Sequence, residues 1–192
     1  MLELVSGIFD YTLLRMRNYI FLILITLAAC KSETDYTSEL NALANDEVAV
    51  QIMIDNEPFY PKNVPFSGRI SLSPTALNMS LLNKEGGNIL VNIDDKNWVK
   101  APQKKVQFNH DSSLDGSFMI GRRNQNRGEG YMLNEGQFQI TQLNKDAIVL
   151  NIEGILIHPF VDTIQKPIKG YILWKKPEPL QDIDQYNEFL FP

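Results

Sequence analysis

Apolar residues alternate with less apolar ones through most of the chain after residue 47, and this period of two constrains the fold more than any other feature. The runs 48–54, 89–93, 138–140 and 148–152 all show it. Successive side chains of a β-strand point to opposite faces, so the pattern predicts strands with one buried face. A helix would need a period near 3.6 instead, and we find no convincing long helix of that kind.

Turn-forming sequences separate these runs about every ten residues, as Lys84–Asn88, Asp115-Gly116 and Asn144–Asp146 illustrate. Short strands at this spacing are typical of antiparallel all-β domains. We therefore predict an antiparallel β-sandwich or β-barrel of about eight to nine strands over residues 47–177. A C-terminal tail, residues 178–192, is predicted to follow it and to hold one helical segment.

Three details of this β domain are predicted from local composition. The polar segment Arg122–Gly130 is expected to be a loop, and Asn134–Gly136 a turn. Gly154 is expected to mark a β-bulge, because the apolar alternation after it changes phase.

A second kind of pattern precedes the β domain. Residues 19–27 are almost all apolar, with Arg15 and Arg17 before them and Ala28, Ala29 and Cys30 after them. The run is too short to cross a bilayer, which takes about 20 residues, but it has the parts of a secretory signal peptide. The alternative is a buried apolar helix with an incidental cysteine.

The sequence Leu27-Ala28-Ala29-Cys30 resembles the lipobox of bacterial lipoproteins. The resemblance implies that the Cys30 thiol receives a diacylglyceryl group and that residues 1–29 are then removed. Cys30 is the chain's single cysteine, so its acylation would leave no thiol for a disulfide. Met16 is a better start for such a signal than Met1, because Glu3 and Asp10 lie in the preceding stretch.

Residues 30–46 are predicted to be the acylated cysteine and a polar tether. In lipoproteins of the resembled type, aspartate directly after the cysteine favours the inner membrane, whereas this chain has Lys31, which implies the outer membrane. The run Lys31–Asp35 is also similar to the tag that exports some Gram-negative lipoproteins to the cell surface. A solvated tether explains the same charges, so the surface-exposed and periplasmic faces both remain open.

The whole chain has 192 residues and a formal net charge of −5. The mildly acidic balance argues against general nucleic-acid binding, which needs a basic surface. The segments IMIDNEPFYPKNVPF and GQFQITQLNKDAIVLNIEGIL are similar in pattern to small surface lipoproteins of uncharacterised function. That likeness implies no activity.

No strong metal site is predicted. Asp111, Ser113 and Asp115 resemble the opening of a calcium loop, but Arg122 stands where such a loop needs a bidentate glutamate. A hairpin turn is the alternative. The two histidines, His110 and His158, lack the spacing of a zinc site, and a metal shared with Asp111 or Asp162 is a weak possibility.

No catalytic constellation is predicted either. The chain has no GxSxG nucleophile motif, and a degenerate hydrolase would need a cleft that joins His110 or His158 to carboxylates. Glu129 and Glu135 form a carboxylate pair of the kind that glycosidases use, but surface loops hold such pairs by chance. We predict a protein that is not an enzyme and has no cofactor besides the lipid on Cys30.

Arginine and tryptophan side chains are the candidate recognition residues. Arg122, Arg123 and Arg127 would grip an anionic sugar or phosphate through their planar guanidinium groups, with a solvated loop as the alternative. Trp98 and Trp174, with Tyr131, would stack on a sugar, with core packing as the alternative.

The sequence thus predicts a lipid-anchored envelope protein whose β domain binds an envelope or extracellular protein or glycan, or supports an assembly. The alternative is a β-barrel carrier of a small apolar or glycan ligand, which would show a large internal cavity.

Overall fold

The computed structural model describes residues 35–62, 64–96, 98–100, 104–108, 116–124 and 127–181. The described residues between Thr37 and Gln181 form one compact unit. Within the described residues, two short helices flank ten β-strands. The helices are α1 (Thr37–Ala42) and α2 (Glu178–Gln181); the strands are β1 (Val48–Ile54), β2 (Glu57–Pro58), β3 (Phe66–Ser73), β4 (Ala76–Asn83), β5 (Asn88–Asp94), β6 (Lys104–Phe108), β7 (Gly116–Asn124), β8 (Arg127–Leu143), β9 (Ala147–His158) and β10 (Val161–Lys175).

Eight of these strands close into an antiparallel barrel. The hydrogen-bonded order is β1-β3-β4-β5-β7-β8-β9-β10, and β10 returns to pair with β1 from Val48↔Trp174 to Ile54↔Ile168. The prediction of an all-β domain is confirmed. Of the two predicted architectures, sandwich and barrel, the structure has the barrel. Two further strands lie outside the ring: β2 pairs with β1, and β6 pairs with β8.

The alternating side chains that predicted the strands fill the inside of the barrel. Ile89 and Val91 have no exposed surface, and neither do Leu77 and Leu81 on the neighbouring strand. Aromatic rings are buried as well, and the ring centroids of Phe118 and Phe138 lie 6.2 Å apart. Eight strands give an interior that side chains alone can fill, so the core of this protein is the barrel lumen itself.

Two glycines lie where a larger residue would collide with a buried side chain or with the backbone of a neighbouring strand. A Cβ on Gly68 of β3 would overlap the indole of Trp174, which is fully buried. Gly136 has φ +104, a conformation that other residues rarely adopt, and a Cβ there would meet the backbone of Glu153. Both glycines therefore have structural reasons that the sequence pattern does not display.

Three local predictions were wrong. Arg122–Gly130 is not a loop, because β7 continues to Asn124 and β8 begins at Arg127, with Arg122 opposite Glu129 in the register. Asn134–Gly136 is not a turn but an irregularity inside the continuous strand β8.

The predicted bulge at Gly154 is also displaced. The register of β9 with β10 runs without a shift past Gly154, whereas its register with β8 shifts between Leu133 and Glu135. The extra residue therefore belongs to β8, and Leu156, which is fully buried, keeps the inward phase of β9. Ile155 and Ile157 remain half-buried on the other face.

The compact unit starts earlier than the predicted boundary at residue 47. The Tyr171 hydroxyl donates to Glu39 Oε2 of α1 at 2.7 Å, and Lys175 Nζ donates to the carbonyl of Leu43 at 2.6 Å. The part of the expected tether after Thr37 is thus packed on β10. None of the helices in the described ranges is long and apolar enough to span a membrane.

Candidate functional site

The antiparallel order of the strands sorts the connections between two ends of the barrel. We call the end where the chain enters at Val48 and leaves at Lys175 the proximal end. The distal end is the opposite one; it holds the β1–β3 connection, the β4–β5 turn and the β7–β8 and β9–β10 hairpin tips. Polar and aromatic side chains from several strands contact one another at the distal end.

Two adjacent aromatic side chains from the β1–β3 connection close the distal mouth. Phe59 and Tyr60 are 3% and 5% exposed, and their rings pack edge to face at 4.8 Å. The Tyr60 hydroxyl lies 2.7 Å from the Asn88 carbonyl oxygen and 3.2 Å from that of Gly121, so it bridges two strands of the ring. Its burial raises the pKa of Tyr60 and keeps the phenol protonated. We call these two residues the plug.

Arg122 holds the plug in place from inside the mouth. Its Nη1 donates to the Phe59 carbonyl at 2.6 Å, its Nε donates to Glu129 Oε2 at 2.7 Å, and its guanidinium lies 4.4 Å from the Phe59 ring centroid. The Arg122 and Glu129 side chains are 33% and 24% exposed. The guanidinium of Arg122 is thus bound to Phe59 and Glu129 of the same chain, so its role is structural.

Glu129 accepts a second hydrogen bond, from the Tyr131 hydroxyl to Oε1 at 2.8 Å. Partial burial by itself would raise the pKa of Glu129, but the hydrogen bonds from Arg122 and Tyr131 outweigh it and the pKa is lowered. The carboxylate is therefore held ionised. A glycosidase general acid needs the opposite shift, so Glu129 is unsuited to that role in a carboxylate pair with Glu135.

The polar chain continues from Tyr131 to the next hairpin. Lys166 Nζ lies 5.2 Å from the Tyr131 ring centroid and 3.6 Å from Asp55 Oδ2. Hydrogen bonding to Tyr131 raises the pKa of Lys166, and burial raises that of Tyr131. Charges of alternating sign thus run from Arg122 to Asp55 across the mouth, so this network is balanced and mainly stabilises the rim.

An aromatic row leads from this rim to the surface. The Tyr131 ring packs edge to face on His158 at 6.1 Å, and His158 on Phe160 at 6.0 Å. His158 Nδ1 also accepts the Phe160 backbone N–H at 3.2 Å, which fixes the turn between β9 and β10. Phe160 itself is 88% exposed, with Val161 at 42% and Ile164 at 38% beside it.

An exposed phenylalanine on a turn held by hydrogen bonds and ring contacts is an unusual feature for a surface that contacts only water. Aromatic side chains on rigid elements are the residues that most often anchor protein–protein contacts. We name Phe160, Val161 and Ile164 the apolar tip.

The predicted recognition residues divide into three groups. Arg123 and Arg127 are exposed at the end of the β7–β8 hairpin, which neighbours the β9–β10 hairpin in the sheet because β8 pairs with β9, whereas Arg122 contacts the plug. Trp98 and Trp174 are 2% and 0% exposed. Their indole N–H groups donate to the Ser73 carbonyl and to Asp46 Oδ1, so core packing describes these two side chains.

Several predicted sites lie outside the described residues. They are Cys30 with its lipobox, His110, the calcium-like residues Asp111, Ser113 and Asp115, and the tail beyond Gln181. The side chain of Asp162 is also outside the described set. Among the residues that the structure does describe, no group of three or more His, Cys, Asp or Glu side chains is placed to hold a metal ion.

Sequence reasoning missed the plug and the apolar tip. Phe59-Tyr60 stands between Pro58 and Pro61, so it has the composition of a connection and no period that would indicate burial. Phe160 follows His158-Pro159, a sequence that indicates a turn, and an aromatic residue at a turn is a usable signal for an exposed contact. Comparison with protein-family models, with curated proteins and with solved structures finds no match for this chain.

Proposed function

We propose that this protein is a lipid-anchored envelope protein whose non-catalytic β-barrel binds a protein partner at its distal end. The observation that carries the proposal is the exposed Phe160 on a fixed hairpin turn, at the end of the barrel opposite to the chain's entry. A barrel that is filled and plugged can offer only its outer surface to a partner. The apolar tip is the most exposed apolar part of that surface among the described residues.

The packing of the lumen favours this role over that of a carrier. A side chain that lines a ligand cavity keeps surface accessible to a water-sized sphere, even when the cavity is closed. Inward-facing residues from several strands of the ring instead have none, for example Leu77, Leu150 and Ile172. The described part of the lumen therefore leaves no room around these side chains for a bound ligand.

The anchoring part of the proposal rests on the resemblance of Leu27–Cys30 to a lipobox. Six residues, 31–36, separate Cys30 from the start of the compact unit at Thr37. A segment of that length spans at most about 20 Å when fully extended. An acylated Cys30 would therefore hold Thr37, where the compact unit begins, within about 20 Å of the lipid headgroups.

Metabolic labelling with a fatty-acid analogue tests the anchor. We expect label on the wild-type chain and none on Cys30→Ala, and protease shaving of intact cells then distinguishes the surface from the periplasmic face. A wild-type chain without label would refute the lipid anchor.

Site-specific photo-crosslinking tests the binding role. A photoreactive residue in place of Phe160 should give discrete protein adducts in cells, whereas the same residue in place of Met119, 37% exposed in the middle of β7, should not. Equal patterns at the two positions would contradict a distal binding site. Native mass spectrometry of the purified protein examines the carrier alternative, which requires a retained small molecule.

A further inference from the structure

Two neighbouring hairpins give the distal end a mixed basic and apolar surface. Arg123 and Arg127 are exposed on the β7–β8 hairpin, and Phe160, Val161 and Ile164 are exposed on the β9–β10 hairpin. The hairpins are adjacent because β8 pairs with β9, with Met132 opposite Ile157 below the tips. The nearby carboxylate of Glu129 is already bonded to Arg122 and Tyr131, so it does not neutralise the two exposed arginines.

The chain itself contains a segment of complementary chemistry. Residues 182–192 have the sequence DIDQYNEFLFP, with acidic side chains at Asp182, Asp184 and Glu188 and no lysine or arginine. The same segment carries large apolar side chains at Tyr186 and 189–191. An acidic, aromatic peptide is the kind of ligand that a basic and apolar surface recognises, through charge pairing at the rim and burial of rings at the centre.

Chain length argues against this contact within one molecule. The segment follows α2 at the proximal end, whereas the hairpin tips lie at the distal end. The 15 residues of β10 cover about 50 Å along the strand, at roughly 3.3 Å per residue. The 11 residues of 182–192 span at most about 40 Å when fully extended, so the segment running back along β10 would reach only Ile164, at the near edge of the tip, with no residues left to cover Phe160.

We propose that the distal tip of one copy, formed by Arg123, Arg127, Phe160, Val161 and Ile164, binds segment 182–192 of a second copy. The inference deepens the proposed function, on which it rests, by naming the partner as this chain itself. The tip lies at the distal end, and the segment is joined to the chain after α2 at the proximal end, so the contact is head-to-tail and can repeat. Because the proposed anchors share one membrane, a row of copies would run along it.

A synthetic peptide of residues 182–192 tests the contact directly. The binding protein is the chain of residues 31–181, which keeps the complete barrel and lacks the competing segment. We expect saturable binding in a titration calorimeter or by fluorescence anisotropy of a labelled peptide. The chain of residues 31–192 should also self-associate with rising concentration in sedimentation equilibrium, and removal of 182–192 should abolish that self-association.

Single variants assign the contact to the predicted side chains. Phe160→Ser and Arg127→Glu should each weaken peptide binding by about tenfold or more, as loss of an interface anchor typically does. The matched controls are Leu82→Ser, an exposed apolar residue on β4, and Lys169→Glu, an exposed cation on β10. Neither control should change the affinity by more than about twofold. Thermal unfolding of all four variants confirms that the barrel is intact.

Three results would overturn the inference: no peptide binding at millimolar concentration, equal binding of a scrambled peptide, or equal affinities for the Phe160 and Leu82 variants. The crosslinking experiment separates this failure from that of the proposed function. Adducts at Phe160 to a different protein, together with no peptide binding, would leave the binding role standing and exclude self-association. Absence of both would remove the distal site altogether.

Discussion

At the scale of single residues, polar groups in this barrel are used where a strand or connection must be fixed to its neighbour. Arg122 joins β7 to the plug and to β8. Its hydrogen bond to Glu129, together with that from Tyr131, outweighs the effect of burial and lowers the pKa of the Glu129 carboxyl. The lowered pKa has a consequence for stability. The ionised carboxylate stabilises the folded state above the ordinary carboxyl range, near 4.5, and that contribution is lost as pH falls toward the folded-state pKa.

Glu129→Gln should therefore lower the free energy of unfolding by about 1–2 kcal/mol at neutral pH, a value reduced for the partial exposure of both partners. The difference from wild type should shrink as the pH falls below about 4.5 toward the lowered folded-state pKa of Glu129, because protonation of its carboxyl makes it neutral like glutamine. Urea unfolding between pH 3 and pH 7 measures it. Glu57→Gln, on the exposed strand β2, is the control. A difference that stays constant over this range would show that the charge of Glu129 contributes nothing.

Gly68 tests the packing of the lumen at a single Cβ. Gly68→Ala should destabilise the protein by about 1–3 kcal/mol, the usual cost of overpacking, because the new methyl group overlaps the rigid indole of Trp174. Chemical denaturation followed by tryptophan fluorescence measures the loss. Gly128→Ala is the matched control, since no heavy atom lies within 4 Å of a Cβ at that position. If both variants lost the same stability, the indole contact could not be the cause.

At the scale of elements, the connection between β1 and β3 is the clearest case of a segment held by a few contacts. Tyr60 carries both of its hydroxyl contacts to other strands, and its ring also packs on Phe66 at 5.0 Å. The connection should therefore open before the barrel does, in a local transition that needs only the plug to leave.

Tyr60→Phe removes the hydroxyl and keeps the ring, so it isolates the hydrogen bonds. We expect a loss of about 1–2 kcal/mol, because the Asn88 and Gly121 carbonyls remain at a buried site without that donor. Hydrogen exchange of the Phe59 amide, which donates to the Ile52 carbonyl at 2.9 Å, should become faster while that of β4 and β5 changes less. Uniform acceleration across all strands would indicate that the plug opens only with the whole barrel.

The elements also show how far the sequence determines the fold. The alternating runs of β1, β5 and β9 could be predicted because each has a continuous apolar face that enters the lumen. The hairpin of Arg122 and Glu129 could not, because its residues are polar or glycine and its strand pairing comes from a contact between two strand ends. The sequence also predicts a turn in the middle of the single long strand β8. Asn134–Gly136 has the composition of a turn, but pairing with β9 keeps this segment extended.

The candidate site was predicted less well than the strands. Arg123 and Arg127 are exposed, and their recognition role stays a prediction. The burial of Trp174 depends on barrel closure, which joins residues more than 100 positions apart, and Trp98 is buried with its indole bonded to Ser73, 25 positions away. Local sequence carries no record of such a pairing. It therefore predicts which residues form strands better than which side chains remain at the surface.

At the scale of the whole molecule, one residue joins the entry and the exit of the chain. Asp46 precedes β1, and its N–H donates to the Lys175 carbonyl at 2.8 Å. Its Oδ1 accepts from the Trp174 indole at 2.9 Å and from the Glu178 backbone N–H at 2.8 Å. The carboxylate thus connects the segment before β1, the core of the lumen and the start of α2, which together form the proximal end of the closed ring.

We therefore predict that the Asp46 side chain, which lies outside every strand, stabilises the closure of the barrel between β1 and β10. Asp46→Ala should cost about 2–4 kcal/mol, because it leaves the buried indole N–H unsatisfied and places a residue with a Cβ but no polar group at φ 61. Asp46→Asn should cost much less, since asparagine tolerates that conformation and keeps the accepting oxygen. Thermal unfolding of the two variants provides the comparison. Similar losses for Asn and Ala would mean that the negative charge, rather than the accepting oxygen and the backbone conformation, stabilises this closure.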